Sequence, residues 1–309
     1  MSESIPDPVE QQSTSEHVAV FAGHRNALFG AAYRVLGAVQ DSEDVVQEAW
    51  LRWQNVELAK VREPRSYLLR VVTRTALNSL RAQQRRREDY PGPWLPEPIS
   101  TDEESEPGRA AEIADDVSLA LLVVLDVLSP LERAAFVLRE VFELSYWEVA
   151  ETLDRSEDAV RKLVSRARAH VREASGPHPG DAAAHREMTE KLLGVSRGKL
   201  PLEEFVSALA PDVVLTTDAG GHAKAALNPI LGIEKVIRFA AGVLATPEVA
   251  ALSWEIGTIN GRAGIIGHQA GRIDTVAWLE VRCGLVTRID MIRNPEKLDA
   301  VVALAQENR

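Results

Sequence analysis

Between Asp41 and Trp53 the chain reads DSEDVVQEAWLRW, with Val45, Val46, Ala49, Trp50 and Trp53 spaced i, i+1, i+4, i+5 and i+8. That is one face of an α-helix. Asp41 or Ser42 stands where an N-cap is wanted, and Glu43 and Asp44 suit the first turn. The opposite face carries Asp44, Gln47 and Glu48 side by side at i, i+3 and i+4. Taken alone, this is the pattern of a core helix with a solvated face. Before it, Phe21, Leu28, Ala32, Val35 and Leu36 predict a helix over residues 16–37. After it, Leu58 to Pro64 reads as a loop, and Pro64 suits the first position of a helix. That helix, Arg65 to about Arg87, would bury Tyr67, Leu68, Val71, Val72, Ala76 and Leu80, and expose Arg74, Asn78, Arg81, Arg85 and Arg86.

The periodicity lapses over residues 91–115, where five prolines and a dense run of acids leave too little apolar surface to fold alone. It resumes with Leu119, Leu122, Val123, Leu125 and Leu128. Ser129-Pro130 then caps a helix over Leu131 to Val141, with proline at its first position. The stretch LSYWEVAETLDRSEDAVRKLVSRARAHVR has the layout of a helix-turn-helix. Tyr146–Leu153 is the first helix, Asp154-Arg155-Ser156 the turn with Ser156 as N-cap, and Glu157 to about Val171 the second helix. Val160, Leu163, Val164, Ala167 and Val171 face inward, so Arg161, Lys162, Ser165 and Arg166 share the outer face. Beyond residue 182 come two or three helices (about 183–197, 201–209 and 232–245) and then alternating strand candidates. These are Val249–Asn260, Arg262–Gln269, Arg272–Val281 and Leu285–Arg293, with Val213–Thr217 earlier and turns at Asn260-Gly261 and Ala270-Gly271. Helices followed by an antiparallel sheet indicate α+β.

Composition narrows the classes. A chain of 309 residues has material for two or three domains, and 45% hydrophobic with 26% charged residues suits a soluble globular protein. No apolar run nears the roughly 20 residues that a membrane span needs. MSESIPDPVEQQSTSEH is polar and unlike a signal peptide, so residues 1–15 are expected to form a disordered tail. One cysteine, Cys283, excludes an internal disulfide and fits a reducing cytoplasm. The seven histidines lack metal-ligand spacing, so neither a metal nor a cofactor is expected. The net charge of −11 argues against DNA binding until it is divided by segment. Residues 60–90 hold nine basic against three acidic side chains, and residues 155–172 six against two. Between them, residues 91–116 hold one basic against eight acidic. Two basic segments astride an acidic one point to two nucleic-acid contacts.

DSEDVVQEAWLRW closely resembles the core-polymerase-binding helix of the extracytoplasmic-function (ECF) sigma factors, small bacterial promoter-recognition subunits. The resemblance implies that Asp44, Gln47 and Glu48 contact a basic coiled coil of the largest subunit of core RNA polymerase. Val45, Val46, Ala49 and Trp50 would hold the helix in its own domain. It implies promoter DNA as a second partner, both duplex and melted single strand. Asn78, Arg81, Arg85 and Arg86, with the Leu58–Pro64 loop, would meet the minus-ten element, whose bases are read once pulled from the duplex. Arg161, Lys162, Ser165 and Arg166 would read the minus-thirty-five element, Arg suiting guanine edges and Lys and Ser the phosphates. Glu157 and Asp158 at the start of that helix repel phosphate, so its entry into the groove is expected to differ from the family's usual one. The acidic linker would thread polymerase channels in place of nucleic acid.

Three more strings resemble one ECF subgroup that carries an extra C-terminal domain. WLPEP, with Trp94, Leu95 and Pro96, matches its linker motif. Asp218-Ala219-Gly220-Gly221-His222 is similar to its DGGGK, with Ala and His in place of Gly and Lys and with Lys224 close by to supply the charge. Asn294-Pro295-Glu296-Lys297-Leu298 is similar to its NPDKL. The C-terminal pattern resembles the SnoaL-like cone, relatives of which include polyketide cyclases and ketosteroid isomerases. The expected architecture is therefore multidomain. Residues 16–90 form an all-α polymerase and minus-ten domain, 91–115 a linker, 116–175 an all-α helix-turn-helix domain and 176–181 a second linker. Residues 182–309 form an α+β SnoaL-like regulatory domain with a curved antiparallel sheet.

The expected protein is a cytoplasmic alternative sigma factor without catalytic residues, modulated by its fused domain. A small-molecule ligand and an anti-sigma partner are both left open. One rival is a one-component regulator whose helix-turn-helix binds an operator as a dimer while the cone binds an effector. Another is an enzyme using Asp218, His222, His268 or Asp274, although the sequence places no two of these together.

Overall fold

The computed structural model describes residues 8–101, 119–175, 182–223 and 225–306. The chain divides into two compact units, Met1–Gln83 with Leu125–His170, and Gln84–Val124 with Val171–Arg309. No helix among the described residues is long and apolar enough to cross a membrane.

The first unit is helical. In order come α1 (Pro8–Ala22), α2 (Arg25–Leu36), α3 (Val39–Trp53), α4 (Pro64–Arg87), α5 (Leu119–Asp126), α6 (Pro130–Phe136), α7 (Tyr146–Leu153) and α8 (Glu157–Ser175). Helices α4, α5 and α8 run across the unit boundaries. The single helix expected over 16–37 begins at Pro8 and breaks at Gly23-His24, where glycine weakens the helix. Gly37, left-handed at φ 67°, closes α2 and lets α3 start at once, at Val39. Neither Asp41 nor Ser42 is therefore the N-cap. The Ser42 hydroxyl donates back to the Ala38 carbonyl at 2.5 Å, and the Asp41 carboxylate accepts from Gln83. Val45, Val46, Ala49 and Trp53 are buried as the pattern required, and Trp53 Nε1 donates to the His17 carbonyl at 3.0 Å. Trp50 is half-buried against the Phe21 ring, 5.1 Å away.

Ser129 with Glu132, and Ser145 with Glu148, form capping boxes that start α6 and α7. A π-helical turn over Val137–Val141 takes the place of the last turns expected after α6. Asp154, left-handed at φ 53°, ends α7, and Ser156 Oγ accepts from the Ala159 amide at 3.3 Å to start α8.

The second unit contains α9 (Ala182–Ser196), α10 (Leu202–Val206), α11 (Ile233–Leu244), α12 (Pro247–Ala250) and α13 (Pro295–Gln306). Its strands are β1 (Leu209–Asp218), β2 (Ile230–Leu231), β3 (Ser253–Ile259), β4 (Arg262–Gln269), β5 (Arg272–Arg282) and β6 (Leu285–Ile292). They form one sheet in the order β2-β1-β6-β5-β4-β3. The expected SnoaL-like cone with a curved antiparallel sheet does not form. The sheet is open, neither closed nor strongly curved, and it is mixed, because β1 runs parallel to β6. Closure needs two edges that can pair, and here neither is free to do so. β2 has two residues, while the Ile259 end of β3 is bridged by Ser100 of the connecting segment. Val249, expected in a strand, lies in α12, where Thr246-Pro247 begins a helix instead.

Alternation along the strands divides the sheet into two faces. Leu215, Leu279, Val281 and Ile289 pack with Met188 and Val195 of α9, Phe205 of α10 and Val236 of α11. Asp218 is three residues past Leu215 in unbroken register with β6, and so projects from the other face.

Candidate polymerase and nucleic-acid interface

The α3 face is built by exclusion. Burial of Val45, Val46, Ala49 and Trp53 leaves Asp44, Gln47 and Glu48 exposed together on the opposite side. Glu48 pairs with Arg52 at 2.5 Å, and Asp44 accepts from Gln40 at 3.2 Å. Beside them runs a shallow groove between α1 and α3, with Val18, Phe21 and Trp50 on its apolar side and Asp44 and Gln47 on its polar side. A surface of this kind offers negative charge and an amide next to an apolar footing.

On α4, Asn78, Arg81 and Arg85 are exposed, and the Arg86 side chain lies outside the described residues. Arg74 is exposed as expected, and it is also engaged. Its Nε donates to the Thr152 carbonyl at 2.7 Å and its Nη2 to the Glu151 carbonyl, while Arg70 pairs with the Glu151 carboxylate. Two arginines of the basic helix are thus bound to the C-terminal end of α7, where helix carbonyls lack intrahelical donors. Local spacing gave no sign of this tie, because its partners lie 77 to 81 residues apart.

On α8, Arg161, Lys162, Ser165 and Arg166 are all exposed. Arg161 pairs with Glu157 at 3.0 Å and sits 4.5 Å from the Tyr146 ring centroid, and Arg166 pairs with Glu132 at 3.1 Å. Lys162, Ser165 and Arg166 line a concavity with Leu131 and Arg155. Glu157, expected to repel phosphate, engages Arg161. The Arg161–Glu157 pair is exposed on both sides and worth at most about 1 kcal/mol, so a phosphate can replace that carboxylate at little cost, whereas Glu132 is buried.

The second unit gathers the remaining motif residues around one carboxylate. Asp218 is fully buried. Its Oδ1 accepts from the Tyr90 hydroxyl at 2.5 Å, and its Oδ2 from the Leu95 amide at 2.7 Å and Lys297 Nζ at 2.6 Å. Lys297 also donates to the Leu95 carbonyl at 2.6 Å, and its Nζ lies 4.0 Å from the Trp94 ring centroid and 5.2 Å from that of Tyr90. Asn294 caps α13 through the Glu296 amide and donates to the Tyr90 hydroxyl at 2.9 Å. Burial pushes the Lys297 ammonium down to about 8, even though Asp218 pulls the other way. Burial first, and then the Asp218 carboxylate, raise the Tyr90 phenol.

Two glycines allow this approach. Gly220, at φ 56°, leaves no room for a side chain, since an added Cβ would stand 2.5 Å from Asn294 Nδ2 and 3.1 Å from Tyr90 Oη. Gly221, at φ 80°, faces Pro91 in the same way, at 3.0 Å. Farther along the same segment, Ile99 exchanges hydrogen bonds with the Asn260 amide and side chain, and the Thr101 amide donates to the Thr258 carbonyl at 2.8 Å. The sequence marks Asn260 only as a turn residue and gives Tyr90 and Thr101 no role. A tyrosine bordering a proline-rich stretch was the one available hint. Pro96 belongs to the seated segment, Pro295 opens α13, and Leu298 is buried. His222 lies 3.8 Å from the exposed Glu296, and Lys224 lies outside the described residues. Among the described residues no group of three or more His, Cys, Asp or Glu is placed to hold a metal.

Comparison with known proteins bears on these surfaces. Residues 20–86 match the model of Sigma-70 region 2, and residues 118–171 that of Sigma-70, region 4. Over 291 residues, 91% of this chain and 92% of the relative, the sequence is 38% identical to the ECF RNA polymerase sigma factor SigJ of Mycobacterium tuberculosis (strain H37Rv). It is 26% identical over 293 residues to the probable ECF RNA polymerase sigma factor SigI of the same organism, covering 92% of this chain and 96% of that one. The crystal structure of M. tuberculosis SigJ superposes with a TM-score of 0.73 at 35% identity, covering 92% of this chain and 98% of that one.

Proposed function

The chain belongs to the ECF RNA polymerase sigma factors, non-catalytic subunits that bind RNA polymerase and direct promoter-specific initiation, and we propose that its second unit tunes that activity by holding the connection between two promoter readers. In this reading Asp44, Gln47 and Glu48 engage the polymerase coiled coil. Asn78, Arg81, Arg85 and Arg86 meet the minus-ten element, and Arg161, Lys162, Ser165 and Arg166 the minus-thirty-five element. The exposure of the α3 polar face and of the α8 basic face supports these roles.

The two elements lie about 25 base pairs apart, or roughly 85 Å at 3.4 Å per step. In the first unit α4 is tied to α7 through Arg70 and Arg74. Reading both elements at once requires that tie to part and the connection between α4 and α5 to extend. Part of that connection, Tyr90 to Thr101, is bound within the second unit, and the observation that carries the proposal is the seating of Leu95 and Trp94 on Asp218 and Lys297. While seated, the segment gives no reach.

Transcription in vitro with purified core polymerase tests this reading. Lys297→Met is expected to raise output several-fold from a minus-thirty-five-dependent promoter and to leave core affinity unchanged. Asp44→Arg with Gln47→Ala is expected to abolish core binding. Unchanged or lower output from Lys297→Met would refute the regulatory half of the proposal, and unaltered core binding by the double variant the other half.

A further inference from the structure

Helix α4 holds no acidic residue in its 24 positions. Arg70, Arg74, Asn78, Arg81 and Arg85 stand on it at i, i+4, i+8, i+11 and i+15. At about 100° per residue these five fall within roughly 80° of arc, so they form one stripe about 22 Å long. Arg70 with Arg74, and Arg81 with Arg85, are four residues apart, a spacing at which like charges repel. Without a carboxylate of its own, the helix relies on an anion from elsewhere to line up these four cations.

Helix α7 supplies that anion at one end of the stripe. Glu148, Glu151 and Thr152 share a face of α7, at i, i+3 and i+4. Glu148 accepts from Ser66, Arg70 pairs with the Glu151 carboxylate, and Arg74 donates to the Glu151 and Thr152 carbonyls. Ser66, Arg70 and Arg74 are themselves at i, i+4 and i+8, so the two rows lie in register. What α7 offers there is oxygen at the negative end of a helix: a carboxylate and two carbonyls without intrahelical donors. A guanidinium takes phosphate oxygens with the same fork. Asn78, Arg81 and Arg85, the rest of the stripe, are exposed.

The contact is open enough to be exchanged. The Arg70 and Glu151 side chains keep 24% and 48% exposure. An ion pair so placed shifts an equilibrium by about fivefold at most.

We propose that Arg70 and Arg74 are nucleic-acid ligands that grip backbone phosphates of the strand met by Asn78, Arg81 and Arg85, and that the C-terminal end of α7 holds their place as a phosphate mimic. This rests on the reading of α4 as the minus-ten helix and lengthens its nucleic-acid surface by about two turns. A tie between helices requires no alignment with Arg81 and Arg85. The DNA strand and α7 compete for the same two arginines, so each weakens the hold of the other.

The test is fluorescence anisotropy of a labelled oligothymidylate of about twelve nucleotides with the full chain over a range of salt, since phosphate contacts carry no sequence information. Glu151→Gln removes the competing carboxylate and keeps both arginines. It is expected to bind up to about fivefold more tightly than wild type, with a logarithmic salt slope steeper by about 0.7 per phosphate gained. Arg70→Gln with Arg74→Gln opens the same contact from the other side. That variant is expected to bind no more tightly than wild type, and to cancel the gain when combined with Glu151→Gln. Hydrogen exchange on wild type needs no variant: saturating oligothymidylate is expected to lower protection of the amides of residues 146–153 as α7 is displaced.

Equal tightening by both routes would mean that the arginines only hold α7, and overturns the proposal. So does an unchanged affinity of Glu151→Gln, or protection in α7 that ignores the oligonucleotide. Arg81→Gln with Arg85→Gln tells this failure from that of the minus-ten assignment. If that variant binds several-fold more weakly while the Glu151 and Arg70 variants match wild type, the role of Arg70 and Arg74 falls alone. If it too matches wild type, α4 is not the nucleic-acid face and both fall.

Discussion

Asp218 and Lys297 form a buried ion pair whose every hydrogen-bonding atom is occupied by the connecting segment or its neighbours. Removing one partner of such a pair leaves an uncompensated charge, which costs about 3–5 kcal/mol, whereas removing both costs far less. Lys297→Met is expected to lower stability to urea by that amount, and Asp218→Asn with Lys297→Met to recover most of it. The pair also sets a pH dependence. The ammonium titrates near 8 in the folded chain and near 10.5 in a free one, so unfolding takes up a proton between those values. Its burial penalty is in full force below about pH 8 and is relieved as pH rises toward 10.5. Wild type is therefore expected to gain stability over Lys297→Met between neutral pH and about pH 9.5 in paired urea titrations. The residues of this cluster were legible in the sequence as three separate strings, through their resemblance to a subgroup. Their convergence was not, since a strand end, a helix start and a proline-rich segment share no local pattern. Tyr90, the fourth member, belongs to none of the strings.

At the scale of elements, periodicity found α3, α4, α7, α8 and most of the strands, because burial of one face is written into each local window. It misjudged the start of α3, where the left-handed Gly37 permits a helix two residues before the first plausible cap. It also missed the parallel pairing of β1 with β6, which no local window records. A pattern of helices followed by strands suits a closed cone and an open sheet equally. The difference lies in the length and occupancy of the edges, which only the assembled sheet reveals. The tie between α4 and α7 was likewise hidden, and it carries its own prediction. Arg74 donates to the last carbonyls of α7, bonds from a charged donor worth about 1.5–3 kcal/mol. Arg74→Ala is expected to lose hydrogen-exchange protection by that margin in the amides of residues 146–153, while those of α3 keep theirs.

At the scale of the whole molecule, one lysine reports on the state of the connecting segment. Lys297 is shielded by two aromatic rings, a carbonyl and a carboxylate, three of which belong to residues 90–95. Its amine can meet an acylating reagent only after those residues have left. Labelling of Lys297 in the free protein is therefore expected to proceed at the rate of departure, well behind exposed lysines such as Lys162, and to accelerate once core polymerase is added. Mass spectrometry of the labelled peptide would time the event, and equal rates with and without polymerase would mean that the segment stays seated in the complex. Any cellular acyltransferase faces the same gate. A modified Lys297 could not return to its cage, so a brief release, once acylated, would persist as a chemical record in the chain.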